Sequence, residues 1–299
     1  MVSIKEKKVG TKTYYYLQYT FRDNGRVNYR EKYLGPQIPK DIEKVKARFA
    51  LEIHKEKRYP TLEKIKEGYK SELKRMPESV KAKTTEAFMI EFTYDTQRIE
   101  GSELSYRDTA QVLLEQTAPK GAKIRDIKEA EAHKGVFYEM IAYDGDLSLG
   151  LVLKWHKELF AETNAEVGGK IRNYNVRITG SKFRPPGYQH MEGMLNDFFA
   201  WYNEAKQSLH AMELAALVHL KFVTIHPFGD GNGRISRLLM NFVLKKHEYP
   251  MLNIHYKGRR SYYAALERSQ TKGAEDIFLT WLFRRYLKDN LAYHAHKKL

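Results

Sequence analysis

Apolar residues recur with helical spacing over most of the chain and with alternating spacing only near its start. In residues 2–34, tyrosines and other strand formers alternate with polar residues, and Asn24-Gly25 is a hairpin signal between two such stretches. This pattern predicts an antiparallel meander of two or three strands with tyrosines and arginines on one face. From residue 85 onward the apolar positions follow the helical period, so the fold is predicted to be mainly α.

The helical pattern predicts a connector followed by a large bundle. Residues 41–76 are helical in composition, and Pro60 is expected to divide them into two helices. Ser105 and Asp108 have the spacing of a capping box that opens a helix. Nine further helices are predicted at about 81–99, 106–116, 126–143, 148–162, 190–206, 209–225, 234–247, 258–271 and 275–292.

Positive charge is concentrated in the first quarter of the chain. The whole chain has 52 Lys and Arg against 37 Asp and Glu, a net charge of +15. Residues 1–83 hold 22 and 11 of these, a net of +11, which leaves a net of only +4 for the remainder. The shift in composition predicts three domains: a basic meander over 1–38, a helical connector over 39–84 and a helical domain over 85–299.

Composition also excludes several classes of protein. The chain has no cysteine, so disulfide staples, thiolate zinc sites and a catalytic thiol are excluded. No apolar run approaches the roughly 18 to 20 residues that a membrane span needs. The first residues lack the apolar stretch of a signal peptide, so we expect no membrane partner and a cytoplasmic location.

The segment most informative about chemistry is residues 226–237, His-Pro-Phe-Gly-Asp-Gly-Asn-Gly-Arg-Ile-Ser-Arg. Three of its glycines fall within five positions, and an apolar helical stripe follows. A glycine-rich loop that enters a helix presents unpaired N–H groups to an anion such as phosphate. Arg234 and Arg237 lie in the first turn of that helix, where positive charge opposes the helix dipole. A bound anion explains them better than stability does.

His226 and Asp230 complete a set of groups for phosphate chemistry. A histidine can accept a proton near neutral pH, and a carboxylate beside a phosphate cradle can hold Mg²⁺. A Walker loop is excluded because its Gly-Lys-Ser/Thr is absent. An EF-hand that starts at Asp230 is excluded because Arg234, Ile235 and Asn241 occupy its fifth, sixth and twelfth positions. The sequence therefore predicts attack on a nucleotide phosphate.

The complete run from His226 to Arg237 resembles the signature of Fic-domain nucleotidyltransferases. The resemblance implies a Fic-type helical bundle that uses Mg²⁺ and ATP to transfer AMP to a hydroxyl side chain of a target protein. It implies that His226 is the base and that Asp230 binds Mg²⁺. The Asn-Gly-Arg within the loop argues against the related phosphotransferase branch. The phosphate-binding residues that it implies are Gly231, Asn232, Gly233, Arg234 and Arg237.

Other segments resemble the same family in order and spacing. Residues 169–172 are similar to the Gly-Lys-aromatic-Arg segment before the family's β-hairpin flap, although Ile171 replaces the aromatic. The flap would then be residues 175–183, and it would hold a target chain by strand addition. The resemblance covers about residues 75–286, which leaves the first 40 residues unexplained.

A second motif resembles the inhibitory helix of this family. Residues 96–101, Thr-Gln-Arg-Ile-Glu-Gly, match its Ser/Thr-x-x-x-Glu-Gly/Asn pattern at the end of a helix expected over about 86–100. A glutamate at position 100 that reached Arg237 would neutralise the partner of the ATP γ-phosphate and occupy its space. The alternative interpretation is a simple helix stop, because Glu-Gly often ends a helix.

Other functions stay open from the sequence. The basic residues 1–83 could bind nucleic acid, with the rest of the chain as a regulator. The loop binds phosphates rather than a base, so the donor could be another nucleotide. With Glu100 positioning water, such an enzyme might also remove AMP from its target. A homodimer is a further possibility.

Overall fold

The computed structural model describes residues 2–23 and 26–295, most of which lie in helices. The predicted Asn24-Gly25 turn lies outside the described residues. The strands are β1 Val2–Val9, β2 Lys12–Asp23 and β3 Arg26–Gly35. The α-helices are α1 Ile42–Arg75, α2 Glu78–Ile99, α3 Tyr106–Ala110, α4 Ile124–Ala142, α5 Leu149–Phe160, α6 Met191–Ala205, α7 Ala211–Ile225, α8 Asn232–Lys246, α9 Arg259–Lys272, α10 Glu275–Asp289 and α11 Leu291–Ala295. Short helical turns of other types are a π-helical turn at Gln111–Glu115 and 3-10 turns at Tyr188–His190 and Tyr256–Gly258.

The chain forms two compact units, Met1–Thr61 and Leu62–Leu299, and the boundary falls inside α1. The prediction that Pro60 divides this region into two helices is wrong, because α1 continues through Pro60. A proline removes one helical hydrogen bond and costs about 3 kcal/mol in a helix interior. Burial of the apolar side chains on both sides of it opposes that cost: Phe49, Ile53, Leu62 and Ile65.

The first unit contains a three-stranded antiparallel sheet in the order β1-β2-β3, which confirms the predicted meander. Its register places Ile4 opposite Leu17 and Val2 opposite Tyr19. These side chains share one face, and Leu17 packs against Phe49 of α1. Because successive strand residues point to opposite faces, the alternation in the sequence produces one covered and one open face.

The open face of the sheet contains tyrosines and lysines, and the register also places Arg22 on it. The register pairs Lys7 with Tyr14 and Tyr16 with Tyr33, so these residues lie on the same face. Arg30 pairs with Tyr19 on the covered face, where its guanidinium lies 3.4 Å from Glu56 of α1. The register pairs Arg22 with Val27 on the open face, so the predicted arginines are divided between the two faces.

The second unit is built around the helical pair α7 and α8. Almost every residue of α7 is buried, and α8 is buried along most of its length. The helices α6 and α10 pack on α7, while α2, α4 and α5 pack on α8. The glycine-rich loop joins the two central helices, so it lies at one end of this pair. Within the described residues, no helix is both long and apolar enough to cross a bilayer.

The predicted helix ends agree with the structure to within a few residues, and one cap is seen in detail. Ser105 Oγ accepts a hydrogen bond from Asp108 N at 3.1 Å, and Asp108 Oδ2 accepts one from Ser105 N at 3.0 Å. The predicted capping box is thus confirmed as the start of α3. The helix α2 ends at Ile99, so Glu100 is its C-cap.

The segment predicted as a hairpin flap, residues 175–183, forms a reverse turn without paired strands. Ser181 N donates to Ile178 O at 3.2 Å across the turn. At the tip, Glu267 Oε2 of α9 accepts hydrogen bonds from Ser181 Oγ and Lys182 N at 3.0 and 2.8 Å. The backbone is held here by a side chain of another helix, so a strand ladder is not needed.

Asn241 provides a test of how the centre of the bundle is held. Its fully buried amide donates to Leu252 O at 3.1 Å and accepts from Leu252 N at 2.8 Å. Asn241→Leu leaves both backbone groups unpaired, so we expect a loss of about 2–5 kcal/mol in the free energy of unfolding.

This loss is measured by urea unfolding followed by tryptophan fluorescence, because all three tryptophans lie in the second unit. Asn203→Leu, a change at an exposed position of α6, is the matched control and should cost less than about 0.5 kcal/mol. Equal losses in the two variants would contradict this account of Asn241.

Candidate active site

The loop between α7 and α8 has a fixed and unusual backbone. His226 ends α7 with φ 55° and ψ 57°, the left-handed conformation that is uncommon outside glycine. Gly231 has φ 78°, and a Cβ there would lie 2.5 Å from the Phe160 ring. The Asn232 amide closes the loop, because it accepts from Phe228 N and donates to Phe228 O, both at 2.9 Å. The predicted phosphate-binding residues Gly231 and Asn232 thus lie together at the start of α8.

His226 has the tautomer that a general base requires. Its Nδ1 lies 3.2 Å from Val223 O, which can only accept, so Nδ1 bears the proton and Nε2 has the lone pair. Burial lowers the pKa of His226, and the positive charge of Arg172 lowers it further. A neutral imidazole at pH 7 with its lone pair on Nε2 can accept a proton from a hydroxyl.

Asp230 provides the carboxylate of the loop, and 38% of its side chain is exposed. Its Oδ1 accepts from Gly231 N at 2.6 Å, and its Oδ2 lies 3.5 Å from Arg125 Nη2. Mg²⁺ at a nucleotide commonly takes one or two protein carboxylates and completes its shell with phosphate oxygens and water. A single carboxylate at the edge of the loop fits that donor set.

Arg234 is buried and is held by carboxylates of the protein. Its Nη1 donates to Glu129 Oε2 at 2.6 Å, and its Nη2 donates to Asp230 Oδ1 at 3.2 Å. The face of its guanidinium lies over the Phe160 ring, 4.6 Å from the centroid. Arg234 therefore fixes Asp230 from the side of the protein interior.

Arg237 is joined to the end of α2. Its Nε donates to Thr96 Oγ1 at 2.8 Å, and its Nη2 donates to Glu100 Oε1 at 2.6 Å. Burial opposes the charge of Arg237, but the Glu100 carboxylate outweighs it, so the pKa of the guanidinium is raised. The structure thus brings together Glu100 and Arg237, which lie 137 residues apart in the sequence.

Glu100 also covers the first turn of α8. A Cβ added to Gly233 would overlap the Glu100 carboxylate and approach Arg237 Nη1 at 3.1 Å. The space above Gly233, beside Arg237 and the N-terminal turn of α8, is a site of positive potential. The side chain of Glu100, 26% exposed, supplies a negative charge there.

His156 of α5 supports the loop from behind and was missed by sequence reasoning. Gly169 N donates to His156 Nδ1 at 2.9 Å, so the proton is on Nε2, which lies 3.0 Å from Asp230 O. The ring stacks on Phe228 with centroids 3.6 Å apart. Burial lowers the pKa of His156 to about 4. A neutral histidine therefore links the loop to the segment that begins the flap.

Arg172 holds both ends of the flap segment and the glycine-rich loop. Its side chain donates to three carbonyl oxygens: His226 O at 2.8 Å, Tyr174 O at 2.9 Å and Pro186 O at 2.6 Å. Its own backbone N–H donates to Pro227 O at 2.9 Å. The arginine in the family-like segment thus fixes the carbonyl of His226 against the flap.

Sequence reasoning also missed Glu129 and Arg125 of α4. Glu129 accepts from Arg234 and from Arg125, the latter at 2.7 Å. A signal existed, because Glu129 and His133 fall on the apolar, buried stripe of α4 at helical spacing. Polar residues on a buried stripe need partners. Here Glu129 pairs with Arg234, and His133 lies near Arg234 and Arg237. Tyr262 is buried, and its hydroxyl lies 2.9 Å from His219 Nε2.

Comparison with known sequences places this site in a described family. Residues 146–244 match the model of the Fic/DOC family. The protein adenylyltransferase Fic of Aedes aegypti is 32% identical over 183 residues, which is 60% of this chain and 36% of that protein. Its counterpart in Culex quinquefasciatus is 31% identical over 71% of this chain and 43% of that protein. The chain thus spans about two fifths of the length of these curated relatives.

Solved structures share the fold. A signalling protein with a Fic domain from Bacteroides thetaiotaomicron has a TM-score of 0.70 and 25% identity, with 78% of this chain and 95% of that chain covered. Fic-1 from Caenorhabditis elegans has a TM-score of 0.71 and 23% identity, with 85% and 77% covered. The mainly helical fold is therefore that of Fic proteins.

The buried histidines around the arginines predict a pH dependence of stability. Burial, with the charge of Arg237, lowers the pKa of His219 to about 3. Below about pH 6.5, His219 is protonated in the unfolded chain but stays neutral in the folded protein. Acid therefore destabilises the folded state between about pH 6.5 and 3. Replacing it by glutamine, which can still bond Tyr262, should flatten this dependence by up to about 1.4 kcal/mol per pH unit.

The measurement is the free energy of unfolding in urea at a series of pH values from 4.5 to 7, about the range where His219 differs from a free histidine. His190→Gln, at an exposed position, is the control and should leave the slope unchanged. A His219→Gln slope equal to that of the wild type would show that His219 is not held neutral.

Proposed function

Because the chain carries a domain of the Fic/DOC family, we propose that it transfers AMP from ATP to a hydroxyl side chain of a target protein. The observation that carries the proposal is the lone pair on His226 Nε2, beside a helix start with two arginines. The names of the curated relatives, protein adenylyltransferase Fic, support the same reaction.

In the proposed reaction a serine, threonine or tyrosine oxygen of the target attacks the α-phosphorus of ATP. The new O–P bond forms while the bond from the α-phosphorus to the β-phosphate oxygen breaks, and pyrophosphate leaves. The hydroxyl proton moves to His226 Nε2, which its lowered pKa keeps ready to accept it. The N–H groups of Gly231, Asn232 and Gly233 at the start of α8 bind phosphate oxygens.

Mg²⁺, held by Asp230, would neutralise phosphate charge and orient the leaving group. The residues of the chain provide the rest of the binding site. Arg234 fixes the carboxylate of Asp230, and Arg237 is the cation available for the terminal phosphate once Glu100 moves away. His156 and Arg172 hold the loop backbone, and they therefore act as positioning residues.

We propose that Glu100 restrains this activity. Its carboxylate bonds Arg237 and lies over Gly233, where the terminal phosphate would bind. A phosphate that cannot reach Arg237 leaves the α-phosphorus out of line with the attacking hydroxyl. A target chain would dock along residues 175–183, whose backbone is not engaged in a strand ladder.

The proposal predicts opposite effects for two variants. Glu100→Gly should raise AMP transfer, onto the protein itself or onto lysate proteins, by on the order of tenfold or more. In the Glu100→Gly background, His226→Ala should lower transfer by about 10²–10⁴-fold, because the proton acceptor is lost. The measurement is incorporation of label from ATP labelled in the α-phosphate.

Glu103→Gly is the matched control, since Glu103 is an exposed glutamate three residues on that pairs with Lys123. It should leave transfer at the wild-type level. If Glu100→Gly incorporates no label into any protein, or if His226→Ala incorporates as much as its parent, AMP transfer by this site is refuted.

A second candidate function rests on the first unit, which we propose binds single-stranded nucleic acid. On the open face of the sheet, Tyr29 and Tyr33 are 60% and 54% exposed. Lys7 Nζ lies 4.5 Å from the centroid of the Tyr16 ring on the same face. Exposed aromatic rings beside lysines can stack bases and contact phosphates.

This candidate predicts that the full chain binds a single-stranded oligonucleotide with an affinity that falls steeply as salt rises. Tyr29→Ala with Tyr33→Ala should weaken binding by about 1–3 kcal/mol per stacked base. Tyr188→Ala, an exposed tyrosine in the second unit, is the control. Fluorescence anisotropy measures the binding, and equal affinities in all three proteins would remove the candidate.

A further inference from the structure

Three side chains of metal-ligating type meet away from the loop, two of them on α2. His255 Nδ1 lies 2.9 Å from Asp95 Oδ2 and 3.4 Å from Glu91 Oε1. One ligand atom from each of the three side chains lies within 4.8 Å of the other two. Glu91 and Asp95 are four residues apart in α2 and so share one face, while His255 comes from the segment before α9.

The cluster combines a rigid ligand with two accessible ones. The Asp95 side chain is only 6% exposed, and its orientation is fixed by hydrogen bonds from Asn253 Nδ2 at 2.6 Å and Tyr256 N at 2.8 Å. The side chains of Glu91 and His255 are 45% and 34% exposed, so an ion can enter from solvent. Metal sites need both ligands held by neighbouring hydrogen bonds and an entry path.

The distances in the cluster are close to those around a tetrahedral ion. Nitrogen and oxygen ligands at 2.0–2.2 Å from Zn²⁺ lie about 3.3 Å from one another. The two distances from His255 Nδ1, 2.9 and 3.4 Å, bracket that value. Small side-chain rotations of Glu91 and His255 would therefore suffice to bring three ligands onto one ion.

Asn253 offers a fourth oxygen. The residue is buried, and its Oδ1 is without a hydrogen-bond partner within residues 2–23 and 26–295. Its Nδ2 now faces the cluster, 3.2 Å from His255 Nδ1. Rotation of the amide by about 180° would exchange the two atoms and give up the Asn253–Asp95 hydrogen bond, which leaves Tyr256 N to hold Asp95. A carbonyl oxygen facing the Asp95 carboxylate would be repelled unless a cation lay between them.

The donor set indicates the kind of ion. Two carboxylates carry two negative charges, and a neutral imidazole completes a set that suits Zn²⁺ or similar transition metals better than Mg²⁺. We propose that Glu91, Asp95 and His255 form a binding site for a divalent transition-metal ion, Zn²⁺ being the probe of choice. Binding replaces the proton on His255 Nδ1, which is released to solvent or moves to Nε2.

Such an ion would connect α2 to the segment that leads into α9. Asp95 is followed directly by Thr96, which bonds Arg237, and Tyr263 of α9 donates to Ile99 O at 3.0 Å. The ion would therefore reinforce existing contacts between α9 and the end of α2. Binding can be measured on the chain itself, so it stands or falls separately from AMP transfer.

The test is titration of the full chain with ZnCl₂ by calorimetry. Both His255→Gln and Glu91→Gln should bind one Zn²⁺ fewer than the wild type, or bind it at least about tenfold more weakly. His210→Gln is the matched control, because His210 also lies near a carboxylate, 3.1 Å from Glu63 Oε1, and is not one of the three proposed ligands. The control should bind Zn²⁺ as the wild type does.

Two further measurements test the same site. With Co²⁺ as the probe, the wild type should show visible d–d absorption bands that His255→Gln lacks. Zn²⁺ should raise the melting temperature of the wild type more than that of Glu91→Gln. If His255→Gln does not fold, Glu91→Gln decides, since Glu91 is half-exposed. Equal Zn²⁺ binding by the wild type and Glu91→Gln, or no binding by the wild type, would overturn the proposal.

Discussion

Two guanidinium groups are buried in the first two turns of α8, and the surrounding structure supplies their anions. Arg234 and Arg237 are each 1% exposed. A buried charge without a partner costs several kcal/mol, so carboxylates must reach both positions. Glu129 of α4 and Asp230 of the loop meet Arg234, while Glu100 at the end of α2 meets Arg237. The packing of α2 and α4 on α8 is thereby tied to the charges of the loop.

The same constraint connects stability with the proposed chemistry. Glu100 pairs with Arg237, and Glu129 and Asp230 pair with Arg234. The neutral histidines 133 and 219 lie close enough to Arg237 for its charge to lower their pKa values, in addition to burial. A cationic histidine there would add repulsion, so the surroundings of Arg237 favour an anion and disfavour further positive charge.

Much of the fold and the loop could be predicted from the sequence, for identifiable reasons. Helical periodicity located the helices of the bundle, and alternation located the meander. The run from His226 to Arg237 is contiguous, so its members could be found without tertiary structure. The pairing of Glu100 with Arg237 followed only from the family resemblance, because a glutamate before a glycine is also a common helix end.

The rest depended on contacts between distant segments. Glu129 lies 105 residues before Arg234, and only the packing of α4 on α8 brings them together. Local rules failed at Pro60, where burial in both units holds one continuous helix. They failed again at residues 175–183, where no strands pair and Glu267 of α9 accepts a hydrogen bond from Lys182 N.

The most direct test of the account is a crystal structure of the wild-type chain with Mg²⁺ and a non-hydrolysable ATP analogue, beside that of Glu100→Gly. We predict that in the wild type Glu100 remains bonded to Arg237 and the terminal phosphate binds elsewhere. In the variant the terminal phosphate should bond Arg237. A terminal phosphate on Arg237 in the wild type, in the same position as in the variant, would contradict the claim that Glu100 controls this site.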